Sequence, residues 1–203
     1  MNKTINPDTL TMIFVRNPVP GKIKNRLAKM IEIEKALNIC NPLLNRTHKV
    51  SKGLNSDRAI FYSDFINRMD RWKNAGFLQF LQKGNNSDEK TNDAFLKAFI
   101  MRYDNVAIIG SDCLDLTESI IAETFRILND NEVVLGPAKD DGYYLPGMKM
   151  FYPSLCKNKR WSTKSILLDT LSDLPDSNVS FKLLPTLSGI DEEKDLLAYK
   201  TLV

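Results

Sequence analysis

Three groups of residues in this 203-residue sequence have the types and spacing for chemistry on phosphates. The first is Gly110-Ser111-Asp112-Cys113-Leu114-Asp115, directly after the apolar run at 106–109. Carboxylates at the end of a buried strand are costly unless they are hydrogen-bonded, paired or bound to a metal. Asp112, with Asp115 as helper, therefore reads as a divalent-metal site. In the competing reading Asp112 closes a turn and Asp115 caps or solvates the helix that follows. The second group is Lys22, Lys24 and Arg26 after Pro18-Val19-Pro20-Gly21. They crowd the first turns of an expected helix, where the dipole disfavours cations, and an anion such as a phosphate would be the missing partner. The alternative is a solvated basic face. The third group is acidic: Asp140 and Asp141 in the loop at 136–142, and Asp191. A magnesium ion that bridges phosphates needs only one or two protein carboxylates, so bases and acids on one rim suit phosphoryl or nucleotidyl chemistry.

An open α/β sheet is the framework that would place these groups together. The run at 10–15 (LTMIFV) and the run at 106–109 (VAII) read as strands buried on both faces of a parallel sheet. Further strands are expected at 59–62, 77–81, 133–135 and 181–184. The stretch at 143–145 reads as an edge strand, because Pro146 follows it. Helices are expected from Lys22 to about Cys40, where Pro42 interrupts, and over 64–73 with Phe65, Met69 and Trp72 on one face. Others follow over 93–101, from Thr117-Glu118 to about 128, over 166–174 and from Glu192. The polar stretch at 82–92 reads as a loop. Alternating strands and helices make a doubly wound sheet, and in such folds ligands gather at the carboxyl ends of the strands.

Composition sets outer bounds. Hydrophobic residues make up 43% and charged residues 26% of the chain, the balance of a globular protein, and its length suits one domain, 1–203. A net charge of +3 is too small to argue for nucleic acid. Arg46, His48, Lys49 and Lys52 lack the interleaved aromatics of a single-strand binder, so no nucleic-acid partner is expected. His48, the lone histidine, reads as a surface residue. Cys40, Cys113 and Cys156 show no zinc or disulfide spacing, which favours a reducing compartment. No signal segment and no membrane span are evident, so the cytoplasm is the expected location. Trp72 reads as core, and Trp161 as either core or acceptor wall.

The segments FVRNPVPGKIKNRL, IIGSDCLDL, VVLGPAKDDGYYLPG, WST and GIDEEKDL stand in an order and spacing that resemble a bacterial glycosyltransferase-type family. Its members are often encoded near radical-SAM proteins and selenoproteins. That family lies among the nucleotide-diphospho-sugar transferases and is related to phospholactate guanylyltransferases. The resemblance runs from Ile13 to about Leu196. It implies a Rossmann-like GT-A-type three-layer sandwich with a mostly parallel central sheet. It places Pro20, Gly21, Lys22, Lys24 and Arg26, with Ser111, on the nucleotide. Asp112 takes the place of the metal aspartate of DxD-like motifs, and Asp191 that of a second metal or acceptor contact. Asp140, Gly142, Tyr143, Trp161, Ser162 and Thr163 fall on the acceptor side, and Asp112, Lys22 and Asp140 are the catalytic candidates. The chain departs from the family pattern at Asn17 (usually tyrosine), Asn86 (aspartate), Lys90 (arginine), Asp141 (glycine) and Pro146 (isoleucine).

The function implied is a Mg2+- or Mn2+-dependent transferase. Its donor is a nucleotide sugar, for glycosyl transfer to a small acceptor, or a nucleoside triphosphate, for nucleotidyl transfer. The alternative is a non-catalytic nucleotide-binding or interaction protein on the same fold.

Overall fold

The computed structural model describes residues 6–19, 33–73, 75–139, 142–156, 166–176 and 179–189. The most apolar run becomes the middle of the sheet. In β1 (Asn6–Val15), Leu10, Met12, Ile13 and Val15 are at most 2% exposed. β1 is paired in parallel on both sides, with β2 (Ser56–Tyr62) and with β4 (Asn105–Ile109). Ile13 lies between Ile60 and Ile109. A strand with neighbours on both edges and helices on both faces has no solvent face, hence the unbroken hydrophobicity.

Seven strands form one sheet in the order β3-β2-β1-β4-β6-β5-β7. β3 (Leu78–Leu81) and β7 (Phe181–Leu183) are the edges, and β5 (Val133–Pro137) pairs in parallel with β7. Among the described strands β6 (Tyr143–Met148) is the single antiparallel member.

Alternate strand residues sort into two cores. On one face Ile13, Ile60, Ile109, Val134 and Leu145 pack with α1 (Ile33–Lys52) and α3 (Glu118–Leu128), through Leu44, Val50, Ile121 and Leu128. On the other, Met12, Phe61, Ile108, Leu135 and Met148 pack with α2 (Ser87–Ile100) and α4 (Ile166–Asp176), through Ala94, Phe95, Ala98 and Leu174. This is the expected three-layer α/β arrangement with a mostly parallel sheet.

Five local expectations are corrected. Pro42 does not interrupt a helix. It lies inside α1, where Leu43, Leu44, Thr47, Val50 and Ser51 are all buried, and this tertiary packing outweighs the lost backbone bond.

Residues 64–73 form no helix. Asn67 Oδ1 accepts the Met69 N–H at 3.0 Å, and Asp70 Oδ1 accepts the Trp72 N–H at 3.0 Å. Such turns compete with the helix for backbone donors. Trp72 is 2% exposed, as expected of a core residue, but Phe65 (48%) and Met69 (80%) do not share its burial.

β6 is central rather than an edge. Pro146 is accommodated because pairing with β4 is limited to Gly147 and Met148, opposite Ala107 and Val106. The absent N–H falls just before that ladder begins.

The polar stretch at 82–92 is a loop only as far as Asn86. Asn86 caps α2 by accepting the Glu89 N–H at 2.9 Å, and Glu89 Oε2 reaches back to the Asn85 N–H at 2.7 Å. Gly84 has φ +130°, and a Cβ there would meet Glu89 Cβ at 2.5 Å, so this loop needs glycine.

His48 is likewise not a plain surface residue. Its ring stands edge-on to Trp72 at 5.0 Å and lies 6.0 Å from Phe77. The expected helices over residues 22–31 and from Glu192 lie outside the described residues.

Candidate functional site

β1, β2, β3 and β4 run in parallel, so their carboxyl ends share one rim. β1 and β4 are neighbours whose last pair is Ile13 and Ile109. The loops from Arg16 and from Gly110 therefore leave the sheet side by side, and a loop from Ser63 leaves β2 on the other flank of β1.

The β4 loop is anchored from below. Cys113, Leu114 and Leu116 are buried, whereas Ser111 and Asp112 stay half-buried. The Cys113 thiol donates to the Ser188 carbonyl at 3.5 Å, and Arg46 Nε donates to the Leu114 carbonyl at 3.4 Å. Burial pushes the Cys113 thiol up to about 12, so it is neither a nucleophile nor a thiolate ligand at neutral pH. Gly110 has a specific role. A Cβ added there would stand 2.6 Å from Asp112 Oδ1, so the carboxylate folds back over a position that only glycine leaves open. Thr117 caps α3 by accepting the Ile120 N–H at 3.3 Å. The cap of this helix is therefore Thr117 and not Asp115, which is exposed.

At the end of β1, Arg16 is exposed and Asn17 is 1% exposed. Asn17 Oδ1 accepts the Asp64 N–H at 2.9 Å and the Phe65 N–H at 3.3 Å, while Nδ2 donates to the Phe65 carbonyl at 2.9 Å. The Asn17 N–H donates to Ser63 Oγ at 3.0 Å. Gln82, after β3, donates to the Phe61 carbonyl at 2.8 Å and the Val15 carbonyl at 3.4 Å. The rim is thus cross-braced at the ends of three strands. Sequence reasoning assigned no role to Ser63 or Gln82 and saw Asn17 only as a departure from pattern. No local spacing signals them, since their partners lie on other strands.

Gly142 closes the β5–β6 connection, its carbonyl accepting the Ala138 N–H at 2.9 Å. The two tyrosines that follow go to opposite faces. Tyr144 covers Gly136, where a Cβ would meet its ring at 2.5 Å, and its hydroxyl donates to the Pro185 carbonyl at 3.0 Å. Tyr143 lines a small cavity with Thr91, Phe95, Cys156 and Thr170 on the α2/α4 face. Burial raises its phenol well above the usual range, so it stays neutral.

Among the site residues expected from sequence, Ser111 and Asp112 stand on the β4 loop, and Gly142 and Tyr143 at the start of β6. Pro20, Gly21, Lys22, Lys24, Arg26, Asp140, Trp161, Ser162, Thr163 and Asp191 lie outside the described residues, as does Asp141. Among the described residues no three His, Cys, Asp or Glu side chains gather as a metal cage. The half-buried Asp112 offers carboxylate oxygens, a donor chemistry that suits hard divalent cations such as Mg2+. No helix among the described residues is long and apolar enough to cross a membrane.

The profile of a family described as uncharacterized proteins conserved in bacteria (DUF2064) matches residues 47–163, more than half of the chain. No curated protein matches the sequence. The chain is similar to a crystal structure from Desulfovibrio desulfuricans G20, provisionally named a nucleotide-diphospho-sugar transferase. The identity is 26% and the TM-score 0.86, over 96% of this chain and 87% of that one. It is also similar to 4-diphosphocytidyl-2C-methyl-D-erythritol synthase from Anaerococcus prevotii DSM 20548, at 13% identity and TM-score 0.57, over 99% and 100% of the two chains. A third similar structure is glucosyl-3-phosphoglycerate synthase from Mycobacterium tuberculosis, solved with Mn2+, UDP and glucosyl-3-phosphoglycerate. There the identity is 9% and the TM-score 0.53, over 97% of this chain and 76% of that one. The last two likenesses concern the fold.

Proposed function

We propose that this chain, which belongs to the DUF2064 family of uncharacterized proteins conserved in bacteria, is a metal-dependent transferase with a nucleotide-activated donor, built as one domain over 1–203 and acting in the cytoplasm. The observation that carries the reading is the adjacency of β1 and β4. It sets the origin of the basic loop beside the Gly110-Ser111-Asp112 turn. In that arrangement Lys22, Lys24 and Arg26, with Pro20, Gly21 and Ser111, hold the donor phosphates. Positive charges fixed in place stabilise the negative charge that develops as the phosphate bond breaks. Mg2+ or Mn2+ suits the hard oxygens of Asp112 and Asp191 and, when bound, supplies further positive charge against the phosphates. Asp140 stands two residues before Gly142, which with Tyr143, Trp161, Ser162 and Thr163 forms the acceptor side. Asp140 is assigned the acceptor proton, a task for a carboxylate within hydrogen-bond reach of the attacking hydroxyl. The acceptor is a small molecule. Nucleic acid is not among the partners.

The test is thermal stabilisation against a panel of nucleoside triphosphates and nucleotide sugars, with and without Mn2+, since a ligand of the native state raises apparent stability by mass action. A Mn2+-dependent shift with a triphosphate identifies nucleotidyl transfer, and one with a nucleotide sugar identifies glycosyl transfer. Asp112→Asn loses the metal-dependent part of that shift and the turnover with it. A folded native protein that responds to none of these ligands refutes the reading and leaves a non-catalytic protein on a transferase fold.

A further inference from the structure

The described rim carries one large aromatic side chain whose position the nucleotide-donor reading does not use. Phe65 follows the end of β2 by three residues and is 48% exposed, while the next residue, Ile66, packs on the α1/α3 core. An isolated exposed apolar residue needs no explanation by itself. Here, however, its backbone is pinned at both the N–H and the carbonyl by the side-chain amide of Asn17, itself 1% exposed. A buried amide that commits both ends of its side chain to one short loop fixes that loop's conformation. Asn17 also stands three residues before Pro20, in the same segment as the proposed phosphate-binding residues. The pinned aromatic is thus coupled through one residue to the start of that loop. Among the described residues no other ring packs against Phe65.

We propose that Phe65, held by Asn17, is the stacking platform for the nucleobase of the donor. The inference rests on the nucleotide-donor reading and adds the residue that receives the base. A flat ring with few rotatable bonds, carried on a backbone already fixed in place, loses little entropy when a base covers it. Base–aromatic stacking is also tolerant of base identity. Phe65 therefore supplies affinity, and edge contacts elsewhere supply the choice of base. Asn17 acts as a positioning residue.

Calorimetric titration tests this with nucleoside triphosphates and, as a base-free probe, inorganic tripolyphosphate, all with Mn2+. Stacking is worth about 1–3 kcal/mol per base, so Phe65→Ala weakens triphosphate nucleotides about 5- to 150-fold and leaves tripolyphosphate unchanged. Phe65→Trp retains nucleotide binding. Asn17→Ala also weakens nucleotides selectively, and in the Phe65→Ala background it adds no further base-dependent loss. Because Phe65 is half exposed, its truncation leaves the core packing in place. Native-like nucleotide affinity in Phe65→Ala overturns this inference and leaves the donor reading standing. Equal weakening of nucleotide and tripolyphosphate overturns it too. A native protein that binds no nucleotide at all overturns both.

Discussion

Replacing Gly110 by alanine separates the placement of Asp112 from the stability of the fold. The new Cβ would lie 2.6 Å from Asp112 Oδ1, whereas ordinary contact begins near 3.4 Å, so the carboxylate must retreat by about 0.8 Å (3.4 minus 2.6). Gly110 is not among the residues with positive φ, so alanine takes its backbone conformation without strain. The clash is with the tip of a side chain, relieved by rotation at a cost on the order of 0.5–1.5 kcal/mol. A less flexible unfolded chain returns about 0.4–1 kcal/mol. The two nearly cancel, so the Tm of Gly110→Ala stays within about 4 °C of the native value, at about 2–4 °C per kcal/mol for a chain of this size.

Ligand binding responds differently. A misplacement of about 1 Å costs on the order of 100-fold where geometry matters. At a nucleotide concentration of about 100 Kd the native protein gains about 2.7 kcal/mol, a rise of about 5–11 °C in Tm. A 100-fold loss of affinity brings the same concentration to Kd, where the gain is about 0.4 kcal/mol and the rise about 1 °C. The assay is a Mn2+- and nucleotide-dependent melting curve of native protein, Gly110→Ala, Asp112→Asn and the double variant. The double variant binds no worse than Asp112→Asn alone, since both act on one carboxylate. Native-like stabilisation of Gly110→Ala by Mn2+ and nucleotide refutes the assignment of Asp112 to the metal.

Two further outcomes follow from buried groups. Burial first, and then Lys52 and Arg71, lower the pKa of His48 against the opposing pull of Asp70, and its Nε2 is buried without a hydrogen-bond partner. The unfolded chain then binds the proton more readily, so stability falls as pH drops below about 6.5. Urea unfolding across pH 5–8 should show this slope, and His48→Phe should remove this residue's share of it; an unchanged slope in the variant would be the contrary result. Cys40, Cys113 and Cys156 are all buried, and the Cys113 thiol stays protonated at neutral pH. A chromogenic thiol reagent at pH 8 should therefore react slowly with native protein and release three equivalents in denaturant, with fast native labelling of Cys113 the contrary result.

The sheet was legible because burial on both faces forces unbroken apolar runs. β1, β2, β4 and β5 all read directly as strands, and α3 announced itself through Thr117 and its apolar spacing. What failed were positions where a long-range contact overrode a local rule. Pro42 reads as a helix break, but α1 persists because its buried side carries it. Pro146 reads as an edge marker, but β6 sits between β4 and β5 because its pairing with β4 starts one residue later. Residues 64–73 have helical spacing, but Asn67 and Asp70 capture backbone donors for turns. One miss was avoidable: Asn86 three residues before Glu89 is a capping signature, and α2 starts there.

The proposed site divides in the same way, between groups assigned to act and groups that hold the rim in place. Asp112 and the basic residues after Gly21 announce themselves by charge in an unfavourable setting. Their supports do not, since Asn17 meets Phe65 48 residues away and Cys113 meets Ser188 75 residues away. The structure also separates two departures from the family pattern that look alike in sequence. Asn86 in place of aspartate keeps the helix cap, because either side chain offers an oxygen to the Glu89 N–H. The change therefore leaves the helix start as it was. Asn17 in place of tyrosine has a different consequence. An amide both donates and accepts, which the pinned 63–65 loop requires and a phenol oxygen cannot supply at both ends from one planar group. Of the two, Asn17 is the one whose side chain braces the rim, through Asp64 and Phe65.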